Sequence, residues 1–442
     1  MRAEKRHIRH AHWAFALVML LITATGAWAQ NATPPPATPT TTTPPPAAEP
    51  VPAPAPVQGR SSMEIYGFAM LDIGHNFKTI NPKWYDTMRI SKLPKFEEEF
   101  GKDNSAFASV RQSRLGVKAT TPTAMGDLKT TFEIEMFGTG SEEGKTVVRL
   151  RHAYGELGRV GAGQTWSLFM DPDVFPNSVE YWGPTGMVFY RNIQVRFYAI
   201  KKEGSSLILA LEQPGASGDA GVLADRNELQ GVQGRNPMLD FTGAYTLNLK
   251  KGGYVRVGGV VRRMAWDDLN DDQFDLSGDA TGWGLNFSSN LKFGEGGKST
   301  VRLQYMFGEG VENYMNDAPV DVGIVANPGN TKTPILGKPI PIQGSVIFLD
   351  HQINAKYSMT VGYSGTRIDN TEGQAPDAYR AGDYFLVNLM HYPVAGVMIG
   401  GEYQWGRRTN FNGPDAPGEG FKYDGSKIQF SFKYNFSYKL GG

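Results

Sequence analysis

The strongest constraint on this chain is a period of two that recurs from Met63 onward. Trp283, Leu285, Phe287, Leu291 and Phe293 alternate with Gly284, Asn286, Ser288, Asn290 and Lys292, and only Ser289 breaks the apolar row. Ile428, Phe430, Phe432, Tyr434 and Phe436 alternate with Lys427, Gln429, Ser431, Lys433 and Asn435. Successive side chains of a strand point to opposite faces, so each segment has one apolar and one polar face. Such a strand either caps a soluble core or crosses a bilayer with its polar face turned to a water-filled lumen.

The connections decide between the two. Sixteen such segments run from 62–75 to 425–438, and the links between them alternate in length. Links after even-numbered segments are short, among them Thr121–Met125, Gly158, Lys202–Gly204, Gly294–Gly297 and Pro393. Links after odd-numbered segments are longer, among them Asn76–Ser105, Pro214–Pro237 and Glu309–Gln343. Short periplasmic turns, long outer loops and an even strand count describe an outer-membrane barrel. The expected fold is therefore all-β, a 16-stranded antiparallel transmembrane β-barrel over residues 62–442.

The N-terminus is consistent with export. Arg2, Lys5, Arg6 and Arg9 precede an apolar run from Trp13 to Ile22, and Ala27-Trp28-Ala29 forms a small-x-small cleavage site. Residues 1–29 read as a signal peptide, too short in its apolar run for a membrane span. Residues 30–61 are rich in Pro, Thr and Ala with almost no charge, a periplasmic linker of polyproline II character that could contact peptidoglycan.

Composition removes several function classes. Cysteine is absent, which excludes disulfide frames and thiolate metal sites. The 44 basic and 44 acidic residues balance, and loss of the signal peptide leaves the remainder slightly acidic, so nucleic acid is not an expected partner. Beyond the signal peptide the histidines are His75, His152, His351 and His391, in no metal-ligand spacing. The acidic run Asp267–Asp272 could offer oxygen ligands to Ca²⁺ but reads better as a solvated loop tip. No cofactor, metal or enzymatic site is expected.

One link does not look like a surface loop. Between about Leu168 and Val188, with their flanks, Phe169, Phe175, Tyr181, Trp182, Phe189 and Tyr190 need packing partners, while Asp171, Asp173 and Glu180 call for water. A loop with both needs fits inside a barrel lumen, folded against the wall. It is the third outer loop, and a sixteen-strand barrel is wide enough to be narrowed by it. The expectation is an inward-folded constriction loop.

Strand phase assigns the wall. Charges on the lipid face near the midplane cost about 2–4 kcal/mol, so Arg114, Lys118, Arg149, Arg151, Arg196, Arg256 and Arg302 are placed in the lumen, with Glu133 and Glu135 on the third strand. Guanidinium stays ionised and binds carboxylates through paired hydrogen bonds. Asp171, Asp173 and Glu180 on the loop would face this basic wall across the pore. Arg111 falls on the lipid phase. Trp266, Trp283 and Trp405 fall at outer strand ends, and Tyr66, Tyr154, Phe293, Tyr357 and Phe436 at inner ends, as two interfacial girdles.

The run Val110-Arg111-Gln112-Ser113-Arg114-Leu115-Gly116-Val117-Lys118 resembles the DcaP-like porins. So do Arg151-His152-Ala153-Tyr154-Gly155-Glu156-Leu157, Gly163-Gln164-Thr165-Trp166, and the insert from Phe175-Pro176-Asn177-Ser178 to Tyr181-Trp182-Gly183-Pro184. The resemblance covers Met63 to Tyr438. It implies a homotrimeric outer-membrane channel of a Gram-negative bacterium for small organic anions such as dicarboxylates. The Pro-rich leader replaces a helical segment that members can carry, and the chain runs past Phe436 to Lys439-Leu440-Gly441-Gly442. Three readings stand: a passive porin embedded in outer-membrane lipid, a structural barrel with a cell-wall-directed leader, and a lipid-acting barrel enzyme, which lacks a Ser–His site on an outer strand end.

Overall fold

The computed structural model describes residues 59–250, 252–413 and 420–441. The signal peptide expected at 1–29 and nearly all of the linker expected at 30–61 lie outside them. One antiparallel sheet of eighteen strand segments closes on itself. Two segments are halves of one interrupted strand and one is the short addition Val232–Arg235, which leaves sixteen staves. In chain order they are β1 (Ser62–Asn76), β2 (Ser105–Ser109 and Arg114–Thr123), β3 (Gly126–Phe137), β4 (Thr146–Leu157), β5 (Val160–Trp166), β6 (Arg191–Lys201), β7 (Ser205–Glu212) and β8 (Asp240–Asn248). There follow β9 (Gly253–Asp268), β10 (Gly278–Phe293), β11 (Ser299–Glu309), β12 (Pro341–Asn354), β13 (Tyr357–Ile368), β14 (Tyr379–His391), β15 (Val397–Asn410) and β16 (Lys422–Leu440). The barrel shuts where β16 pairs with β1, from Met63 opposite Leu440 to Asn76 opposite Lys427.

The outward row is apolar and exposed, as lipid contact requires: Leu115, Phe132, Val195, Phe197, Phe287, Ile347, Leu389 and Phe430 belong to it. Periplasmic links are tight turns. At Gly158, φ is +63°, the left-handed conformation that a two-residue hairpin link demands. Of the girdle residues, Trp283, Phe293, Tyr357 and Phe436 are exposed on the lipid face. Three others differ from expectation. Tyr66 donates its hydroxyl to Glu133, Arg196 sits over the Tyr154 ring, and the Trp266 indole donates to Leu276 O, so all three turn inward.

The inner row is not uniformly polar. Val260, Met306, Val346, Phe348 and Leu386 face inward and are buried. They meet Phe169, Met170, Val174, Met187 and Val188 of the third outer loop, forming a hydrophobic core inside the barrel. Removing those apolar groups from water, at about 25 cal/mol per Å², holds the loop in the lumen.

The second stave carries a further departure. Ala69–Leu71 of β1 lie opposite four residues, Val110–Ser113, because Phe68 pairs with Arg114 and Asp72 with Ser109. The extra residue is a bulge, closed by Ser113 N–H donating to Val110 O at 3.0 Å. An extra residue reverses the side-chain phase beyond it. Arg111 therefore points inward and is fully buried, rather than facing lipid.

Candidate functional site

Three outer loops, not one, fill the lumen. Residues 167–190 leave β5 at Trp166 and follow the wall. Leu168 O accepts from Arg256, Phe169 O from Asn286, and Asn177 O from Asn388. Val179 N–H then donates to Glu402, and Tyr181 OH reaches Glu135 at 2.6 Å on the opposite wall. The loop returns past Gly186, whose N–H donates to Ser364. Its aromatic residues are anchored as expected: Tyr181 stacks on Phe137 at 3.7 Å, and Trp182 meets Trp84 edge-on.

Trp84 belongs to the first outer loop, between β1 and β2, which also buries Met88, Ile90 and Leu93. The sixth outer loop, between β11 and β12, adds Tyr314 and Met315. Asn316 N–H donates to Met187 O, and Phe189 N–H to Tyr314 O. Asp317 of this loop accepts from Ser91 N–H at 2.7 Å and from Arg89 at 3.1 Å, binding the sixth loop to the first.

The loop acids sit differently from the arrangement their sequence suggests. Asp171 is buried and accepts from Tyr254 OH and Ser288 OH. Glu180 is buried and accepts from Met88 N–H at 3.0 Å and from Gly183 N–H, tying the third loop to the first. Burial pushes the Glu180 carboxyl up to about 8, with the Lys427 ammonium pulling the other way. Both acids serve as acceptors for donors of the wall and backbone, a buried need that outweighs hydration. Only Asp173 is exposed. The loop therefore contributes one acid, not three, to the pore surface.

The basic wall lies where the third loop leaves the barrel uncovered. Arg151 reaches Glu133 at 2.7 Å and Glu135 at 2.5 Å. Arg149 donates to Glu135, Thr139 and Tyr181. Arg114 stands 3.5 Å from Glu133 and 3.8 Å from Glu135. Glu133 and Glu135 are thus interleaved with the arginines on one wall. Arg196 binds Gln194 and Trp166 O, and Arg256 binds Leu168 O, so both are held by neutral acceptors. Lys118 lies over the Tyr66 ring at 4.5 Å, and Arg302 pairs with Asp350 at 2.5 Å.

Sequence reasoning missed four cations. Lys433 shares the inward phase of Lys427, Gln429 and Ser431 and sits over Phe68 at 4.0 Å, so alternation was sufficient to find it. Arg191 begins β6 on the outward parity, yet it reaches Glu135 at 3.4 Å because the chain is leaving the loop there. Arg89, sandwiched between the Trp84 and Trp182 rings at 4.4 and 4.3 Å, and Lys92 come from the first loop. The only hint was that loop's apolar content.

A closed sixteen-stave barrel whose lumen is narrowed by inward loops and lined with charge defines a porin. The chain belongs to the DcaP outer membrane protein family, whose model matches residues 63–436, and its place is the outer membrane. No curated protein matches its sequence. Among solved structures it is similar to the outer membrane channel DcaP of Acinetobacter baumannii, at 18% identity and TM-score 0.68, over 85% of this chain and 97% of that one. It is also similar in fold to the anion-selective porin of Comamonas acidovorans, at 10% identity and TM-score 0.53, over 85% and 100%. A trimeric form of OmpT from Vibrio cholerae matches at 13% identity and TM-score 0.50, over 85% and 99%.

Proposed function

We propose that this protein is a passive pore for small hydrophilic solutes that favours organic anions, dicarboxylates among them, and that it works as a homotrimer behind a cleaved signal peptide and a Pro-rich spacer. One observation carries the preference: among the described residues, Arg114, Arg149, Arg151 and Arg191 draw on only two carboxylates, Glu133 and Glu135. Arg196 and Arg256 add guanidinium groups held by neutral acceptors. A low-dielectric wall with surplus positive charge raises the local concentration of anions. The family membership and the trimeric form of a fold relative support the assembly.

The test is a reversal-potential measurement across a planar bilayer under a salt gradient. Changing Arg114, Arg149 and Arg196 together to Gln lowers anion-over-cation permeability. An unchanged reversal potential refutes the reading.

A further inference from the structure

Above the constriction, the first, third and sixth loops and β4 enclose a cavity of about 550 Å³. Arg89, Lys92, Arg149 and Arg191 all line it. Arg149 and Arg191 bond the same oxygen of Glu135, at 3.0 and 3.4 Å, so their positive charge is concentrated on one side of the cavity. That carboxylate is also shared with Arg151. Arg89 is matched by Asp317. Glu312 lines the cavity too, but it is buried, makes no ion pair with these cations among the described residues, and burial holds its carboxyl well above the usual carboxylate range.

With Arg114 and Arg151, which share Glu133 and Glu135, the cations around the cavity are six, and the acids that meet them are Asp317, Glu133, Glu135 and, near Lys92, Glu143, a surplus of two. Two features show where it is unmet. Nη1 of Arg191 is buried without a hydrogen-bond partner. Lys92 is half-buried and makes no ion pair among the described residues; burial together with the adjacent Arg89 pushes its ammonium pKa down, against the weaker pull of Glu143 and Asp317. A buried donor without a partner is costly, and a bound anion would satisfy Arg191 Nη1 and pair with the Lys92 ammonium.

We propose that this outer cavity is a binding station for sugar-sized phosphate monoesters, which it holds by the dianionic head group before they reach the constriction. A surplus of two charges within one cavity matches a single phosphate carrying close to two negative charges. Guanidinium groups bind phosphate through paired hydrogen bonds and lysine binds it as a point charge. The volume falls within the range of solute sites and exceeds what an inorganic ion needs. The proposal rests on the anion-favouring reading and adds a saturable site with a head-group preference.

The test uses the full-length trimer in planar bilayers, with glucose 6-phosphate, succinate and glucose added in turn to the outer side. Glucose 6-phosphate is expected to interrupt the current with saturating concentration dependence, more tightly than succinate, while glucose does nothing. In Lys92→Gln and in Arg191→Gln the half-blocking concentration rises roughly ten-fold, as loss of one charge-assisted hydrogen bond predicts, and Lys92→Arg restores block at position 92. Only preparations that still form channels are compared, so misfolding cannot imitate the result. Absence of saturable block in the wild type, equal block in the Gln variants, or succinate blocking as tightly as glucose 6-phosphate overturns the proposal. A cation-preferring reversal potential in the wild type would instead strike the underlying anion reading, whatever the block.

Discussion

Nη1 of Arg151 lies 2.5 Å from Oε2 of Glu135, and the other oxygen of that carboxylate takes Arg149, Arg191 and Tyr181. One fully buried acid thus organises the positive wall and bounds the third loop. Changing Glu135 to Gln leaves four guanidinium groups with Glu133 alone. Anion preference, read from the reversal potential, should rise. Stability should fall by about 3–5 kcal/mol, the usual cost of unpairing a buried charge, measured by urea unfolding in detergent. A fall in anion preference would show that Glu135 only shapes the wall.

The third loop is pressed against β12 and β13 at Gly186. A Cβ there would lie 2.1 Å from Gly365 O and 2.7 Å from Ser345 N, both backbone atoms that cannot give way. Gly186→Ala should push the loop off the wall, at about 1–3 kcal/mol of overpacking, and raise open-channel conductance and current noise. Gly204→Ala, in a periplasmic turn with nothing within 4 Å of the added carbon, is the control and should leave conductance unchanged.

Much of this architecture is legible in the sequence. Lipid on one side and water on the other force strict alternation, and that alternation gave the staves and their pairing order. The third loop announced itself because Phe169, Trp182 and Tyr190 cannot rest in solvent. What stayed hidden lay in contacts far apart in the chain. Nothing near Glu180 reveals that its carboxylate accepts Met88 N–H, and nothing near Asn316 that its N–H donates to Met187 O. Alternation also carries phase only until a bulge resets it, which is why Arg111 was placed on the wrong face. Apolar residues of the inner row, such as Phe348 and Leu386, break the polar phase of the lumen because they pack in one core with the third loop.

The joint between the first and third loops should respond to pH. Glu180 joins them by accepting Met88 N–H and Gly183 N–H, and its buried carboxyl titrates near 8. The charged groups around it are Lys427, which favours the ionised form, and Glu402, which opposes it, and Asp72 and Asp86 act in turn on Lys427. A carboxyl raised on folding contributes stability that is full below its unfolded value of about 4.3 and is lost as pH rises through the raised value. The loops should therefore loosen between about pH 7 and 9, seen as growing current noise. Glu180→Gln should flatten that dependence. Equal noise at pH 6 and pH 9 in the wild type would refute the idea.

The bulge in β2 serves one contact: it turns Arg111 inward onto Asp86 of the first loop. Nε donates to Oδ2 at 2.9 Å and Nη2 to Oδ1, and the guanidinium lies over the Phe137 ring at 4.1 Å. Both side chains are out of water, at 0% and 3% exposure, so each alone would be an unpaired buried charge. Asp86→Asn and Arg111→Met should therefore each cost about 3–5 kcal/mol, and the first loop should become susceptible to protease from the outer side. The double variant removes both charges and should lose distinctly less than the sum, since an uncharged pair of similar volume can be nearly neutral. Additive losses in this cycle would mean that each residue is held by other contacts, and that the bulge exists for some purpose other than the pair. Sub-additive losses would identify the extra residue at Val110–Ser113 as the device that lets a strand facing lipid deliver one charge to the inside.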